Sequence, residues 1–271
     1  VLCSISANKN KKVLVLAMLI WPELTLTKQF VGPPALGNGG FVVGHMARAL
    51  ASGDVVGAGP IEVTLRAPVP IDIALRFQFS DEGGVALMNG EDVLATAKRT
   101  ELDLDMLEPP SADAARALRP SSLSLKPGFH QQLGARIGVH PVCFCCGAEP
   151  EEGYGLRVFP SVVEGRDDVT ALWTPHDNFA GENGLVGPEM IGAAIDCPGA
   201  FAFLENDQRA GLLGRMSVEF VKELKAGDET RIVGWRMETD GRKMIAGTAI
   251  FDSDGDLVAK AKQTWFGFPG K

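Results

Sequence analysis

The chain has 271 residues, of which 45% are hydrophobic and 22% charged, and a formal net charge of −8. This is the composition of a globular protein with a full apolar core, and a length for one large domain or two ordinary ones. The charge argues against a general nucleic-acid binder, although an anionic ligand needs only a local basic patch.

The apolar run over residues 13–20 predicts a buried strand and is too short to span a bilayer. Lys9, Lys11 and Lys12 before it give it the look of a signal peptide, but no small-x-small cleavage site follows. A short alternating strand is expected over 24–27. Gly32-Pro33-Pro34-Ala35-Leu36-Gly37-Asn38-Gly39-Gly40 is a rigid loop that ends in tight backbone geometry. It opens an apolar helix over 41–51, which stops near Gly53. Strands are expected over 61–66, 73–79, 85–88 and 92–102, with Asn89-Gly90 as a hairpin turn.

Residues 105–140 change character. Pro- and Ser-rich segments bracket a short helix over 112–118, as in a connector that crosses the surface. The plan then repeats. Strands are expected over 156–163 and 169–174, a loop running into a helix from 184 to about 205, and four more strands over 216–221, 229–237, 244–251 and 257–266. Residues 92–100 lie over 256–264, sharing Asp, two aliphatics, two Ala, Lys and Thr. Val63-x-Leu65 with Val69 matches Val218-x-Phe220 with Leu224. Two coincidences in the same element order indicate an internal duplication. The domain reading is 1–104, a linker over 105–140, and 141–271. Each unit has one long helix and a largely antiparallel sheet, which makes the chain α+β.

Five cysteines are present. Cys143, Cys145 and Cys146 crowd into one turn, which is no disulfide framework and implies a reducing, cytoplasmic setting. His140 and Cys143-x-x-Cys146 offer three metal ligands. No convincing second pair accompanies them, so a turn of free thiols is the expected state.

Pro188 suits the first turn of the second helix, Glu189 its positive end, and Asp196 falls about two turns in. A carboxylate on so apolar a helix is costly to bury unless something uses or satisfies it. The plainer reading is a helix-end Asp that meets a neighbour or solvent.

These segments resemble a double hotdog protein, and the second half resembles the phenylacetate-type acyl-CoA thioesterases. Cys143-Phe144-Cys145-Cys146-Gly147 with Gly155-Leu156-Arg157 is similar to a "C-F-x-C-G … N-P-x-G-L" opening. Gly184-x-Val186 followed by Asp196 is similar to "G-x-V-H-G-G-x6-D". Val218-x-Phe220-x-Lys222, Gly227-Asp228 and Asp254-Gly255-x-Leu257-Val258-Ala259 are similar to the sheet that follows. The resemblance implies a tandem hotdog: two antiparallel sheets, each wrapped on a central helix, paired as an internal pseudo-dimer, with a homodimer of such chains as the larger assembly it allows. It implies acyl-CoA thioester hydrolysis, with coenzyme A entering as part of the substrate and no metal, redox cofactor, nucleic acid or membrane as partner.

In the family a backbone N–H at the helix start polarises the thioester carbonyl, and an acid two turns along the facing helix acts as base or nucleophile. Repeat two keeps Asp196 but has Gly187-Pro188-Glu189 where the family has His-Gly-Gly. Repeat one has Asn38-Gly39-Gly40 but Ala47 in place of the acid. The resemblance therefore implies one complete site, Asn38, Gly39 and Gly40 facing Asp196, and one dead site. Asn38-Gly39-Gly40 as a mere helix-entry turn is the plainer reading. Arg66, Lys222 and Lys225 are the candidate partners for the CoA phosphates. Two rival functions stand beside hydrolysis. One is a dehydratase or hydratase that uses His176 with Asp196; the other is a non-catalytic acyl-CoA or small-ligand binding protein. His45, two positions before Ala47, is more simply a satisfied core residue.

Overall fold

The computed structural model describes residues 23–33, 35–126, 140–204 and 211–267. The strand expected over 13–20 lies outside them. In chain order the elements are β1 (Glu23–Thr25), α1 (Gly39–Ala51), β2 (Ile61–Leu65), β3 (Ala74–Phe79), β4 (Val85–Asn89) and β5 (Asp92–Arg99). Then come α2 (Ala112–Leu118), β6 (Ser161–Val162), β7 (Asp168–Trp173), α3 (Pro188–Ala194), α4 (Asp196–Leu204), β8 (Leu212–Phe220), β9 (Thr230–Asp240), β10 (Lys243–Phe251) and β11 (Leu257–Phe266).

The strands form one sheet in the order β1-β3-β4-β5-β2-β8-β11-β10-β9-β7-β6. Every pairing is antiparallel. This corrects the expectation of two sheets: β2 and β8, the inner strand of each half, hydrogen-bond to each other. Their register is Ile61 with Val218, Glu62 with Ser217 and Val63 with Met216. An exposed edge on each half is thereby removed, which is the usual danger of an open sheet. The order reads alike outward from the β2–β8 pair, with β5 answering β11 and β2 answering β8, the strands whose sequences coincide.

The helices complete the core. Phe41, Val42, Val43, Met46, Ala47 and Ala49 of α1 are buried, and α1 packs on β2, β4 and β5. α4 packs on β7, β9 and β10, and α1 packs against α3. That last contact is close because glycines face each other. A Cβ on Gly192 would stand 2.5 Å from the Gly40 carbonyl oxygen. The segment after β5 crosses to the second half. Leu102 and Leu104 pack with Val233, Trp235, Ala249 and Phe251, and Arg116 of α2 pairs with Glu229 at 2.8 Å.

Two local expectations are corrected. The strand over 156–163 shrinks to Ser161–Val162: Arg157 has a positive φ of 57°, and Pro160 has no N–H for a ladder. The second helix starts at Pro188, as expected, but breaks at Ile195, where φ is −90° and ψ −2°. Pro198 is the cause. It has no N–H to give the Ala194 carbonyl, and its ring crowds that oxygen. The freed carbonyls find side chains instead. Cys145 Sγ donates to Ala194 O at 3.9 Å, and Gln263 Nε2 to Ile195 O at 2.6 Å.

Candidate active site

The break changes where Asp196 stands. It is the first residue of α4, not a residue two turns into one helix, and so it sits at the positive end of its own helix. It also meets the start of α1. Gly40 N–H donates to Asp196 Oδ2 at 3.0 Å in a buried contact that joins the two halves of the chain. The backbones come this near because Gly40 has no side chain. A Cβ there would lie 2.6 Å from the Asp196 Cβ.

Asn38 serves both partners. Its Oδ1 accepts from Phe41 N–H at 2.9 Å, capping α1. The same side chain also helps hold the Asp196 carboxyl down, the effect expected of an amide NH2, a donor, beside a carboxylate that can only accept. An Asp or Ser cap would satisfy the helix but offers no such N–H donor.

Asp196 is 3% exposed. Burial pushes its carboxyl up to about 7, while the Gly40 N–H and the Asn38 amide pull the other way. Its Oδ1 has no hydrogen-bond partner among the described residues. Gly39 N–H likewise has no acceptor among them. Both residues line one cavity of about 690 Å³, with Leu65, Val69, Phe201, Leu213, Trp265 and Phe266 as its apolar walls. The Gly40 N–H is thus taken up by Asp196, whereas that of Gly39 is not.

The three expected phosphate partners separate. Arg66 lines the cavity and is exposed, so it stands at the mouth. Lys222 and Lys225 do not line this cavity. Lys222 Nζ is held by Asp252 at 2.5 Å and Asp256 at 2.7 Å. Lys225 is exposed and its backbone bridges to Leu185. His176 is also elsewhere: its Nδ1 accepts from Asn178 N–H at 3.1 Å, capping a short 3-10 turn. His45 is half-buried with its ring edge-on to Phe41, and desolvation of the imidazole lowers it to about 4, with Arg48 adding to the shift.

At the other end of the α1–α3 contact, Arg48 Nη2 pairs with Glu189 Oε2 at 2.5 Å, beside the buried Ala47. A salt bridge stands there in place of an N–H to carboxylate contact. Gln263 does not line the cavity, but it supports the residue before Asp196, a role that sequence reasoning missed. It is fully buried, holds Ile195 O and Thr248 through Nε2 and accepts from Trp265 Nε1 at 2.8 Å. The signal was an amide in the inward file Ala259, Ala261, Gln263, Trp265 of β11.

No protein-family model matches the chain, and no curated protein matches it. Solved structures do. A tesB protein of Mycobacterium avium subsp. paratuberculosis covers 96% of this chain and 99% of its own at 15% identity and a TM-score of 0.56. A conserved protein of unknown function with a hotdog fold from Alicyclobacillus acidocaldarius covers 92% and 93% at 10% identity, TM-score 0.57. A protein described as a candidate thioesterase from Novosphingobium aromaticivorans covers 91% and 95% at 9% identity, TM-score 0.58. The chain has the hotdog fold. Among the described residues no helix is long and apolar enough to cross a membrane.

Proposed function

We propose that this chain is a tandem pair of hotdog units, 1–104 and 141–271 joined by a linker, that hydrolyses an acyl-CoA thioester at one site between them. The observation that carries the reading is the 3.0 Å contact of Gly40 N–H with Asp196 Oδ2 beside an apolar cavity. The acyl chain lies against Leu213, Phe201 and Trp265. The thioester oxygen accepts from Gly39 N–H at the start of α1, where a helix N-terminus favours developing negative charge. Asp196 Oδ1 takes a proton from water, whose oxygen attacks the carbonyl carbon. The tetrahedral intermediate collapses, the C–S bond breaks, and the thiolate leaves and takes up a proton. The products are a carboxylic acid and a free thiol. Arg66 at the mouth attracts the CoA phosphates.

Two features weigh against the rivals. His176, the base a dehydratase would need, caps a turn away from the cavity that holds Asp196. A binding protein with a decayed site predicts Asp196 buried or paired away from any cleft; Asp196 is buried and paired with Gly40 N–H, but at a cavity that it lines. The deciding experiment is thiol release from a panel of acyl-CoAs, with Asp196→Asn run beside the parent. Hydrolysis by the parent and a loss of about a hundredfold or more in the folded variant supports the reading. Equal rates remove Asp196 from the mechanism, and no hydrolysis of any acyl-CoA overturns the proposal.

A further inference from the structure

The turn that carries Cys143 and Cys146 folds back on the start of α4, and this brings in a third thiol from far along the chain. The sulfur atoms of Cys143, Cys146 and Cys197 all lie within 4.8 Å of one another. Cys143 Sγ and Cys197 Sγ are 3.8 Å apart. A disulfide would place them at about 2.05 Å. Three sulfurs each about 2.3 Å from one tetrahedral ion stand about 3.8 Å from each other. The turn itself is tight: Gly147 N–H returns to Cys143 O at 2.8 Å, and a Cβ on Gly147 would lie 2.5 Å from that oxygen.

We infer that Cys143, Cys146 and Cys197 form a three-thiolate site for a thiophilic ion, Zn²⁺. An all-sulfur donor set selects against Mg²⁺ and Ca²⁺, which take oxygen ligands. Cys145 is turned to the Ala194 carbonyl and stays outside the triad. Cys143 and Cys197 also line the cavity, so the fourth coordination position is left to a ligand from that side. Binding exchanges three S–H protons, released to solvent, for one Zn²⁺, and leaves a complex of charge −1. The inference departs from the metal-free expectation because the third ligand lies some fifty residues beyond the Cys-x-x-Cys turn. It stands independently of the proposed hydrolysis.

The test is elemental analysis of the purified full chain, followed by titration of chelator-treated protein with Co²⁺ as a spectroscopic probe. One equivalent of zinc, and a saturable 1:1 cobalt spectrum with thiolate charge-transfer bands and intense tetrahedral d–d bands that Zn²⁺ abolishes, are expected. Cys146→Ser and Cys197→Ser each weaken cobalt binding by about a hundredfold or more, whereas Cys145→Ser and Cys3→Ser leave the 1:1 spectrum in place. The parent measurements stand even if a variant fails to fold. A parent with no thiolate–cobalt bands, an unchanged spectrum in folded Cys146→Ser, or a Cys143–Cys197 disulfide in freshly prepared protein overturns the inference.

Discussion

Gly40 N and Asp196 Oδ2 are 3.0 Å apart, though 156 positions separate them in the chain. Each comes from the start of a helix, and each helix belongs to a different half. The contact joins the halves and defines the candidate site at once, so mutations at either residue test packing and chemistry together.

Asp196→Asn keeps the volume and an acceptor for Gly40 N–H but cannot take a proton. Thioester hydrolysis is expected to fall about a hundredfold or more with little change in KM. Circular dichroism confirms that the fold is intact, and steady-state kinetics read the effect.

The buried carboxyl also makes stability pH-dependent. Its folded value of about 7 lies above its ordinary value of 3.8. Between the two, the folded state binds more protons than the unfolded, so stability falls as pH rises and the penalty is complete above about 7. Asp196→Asn removes the penalty. Its melting temperature should gain on the parent's between pH 5 and pH 8, measured on chelator-treated protein so that no bound ion alters the local charge. In the same protein, hydrolysis by the parent rises as pH passes through about 7, since only the carboxylate accepts a proton. A pH-independent difference in melting would contradict both expectations.

Gly40→Ala places a methyl group against the Gly192 carbonyl and the Asp196 side chain. Backbone lies on one side, so the strain cannot be relieved by a rotamer. A loss of about 1–3 kcal/mol in denaturant unfolding is expected, with loss of hydrolysis as the halves part.

Gln263→Leu removes the donor to Ile195 O and the acceptor for Trp265 Nε1. Both groups are then buried without partners, each at about 1–3 kcal/mol. Thermal melting should show the drop. Restoration by Gln263→Glu is not expected, since a carboxylate offers no N–H to Ile195 O.

Arg66→Ala is expected to raise KM for an acyl-CoA about tenfold at low salt and leave kcat nearly unchanged. The effect should vanish with the matching acyl-pantetheine, which lacks the nucleotide phosphates. Lys222→Ala and Lys225→Ala should leave KM unchanged, since neither lines the cavity.

Much of this was written in the local sequence. Local sequence placed α1, α2, β10 and β11 within a residue or two of their observed bounds, because apolar runs fill them and clear breaks close them, such as Asp252-Ser253-Asp254-Gly255 between β10 and β11. The coincidence of 92–100 with 256–264 reflects β5 and β11, which hold equivalent places in the sheet. Asn38-Gly39-Gly40 and Asp196 were also legible as separate halves of one motif. The tertiary structure alone decided the rest. β2 and β8 fused the halves into one sheet, a choice made by backbone groups that every sequence carries. Pro198 moved Asp196 from mid-helix to a helix start, and Gly40 against Gly192 let that start meet α1. Asp168 is as buried as Asp196 but is paired with Arg166; an unpartnered carboxylate oxygen on a residue that lines the cavity, not residue type, set Asp196 apart. The same convergence brought Cys197 to Cys143 and Cys146, because thiol clusters depend on distance in space, which spacing along the chain does not encode.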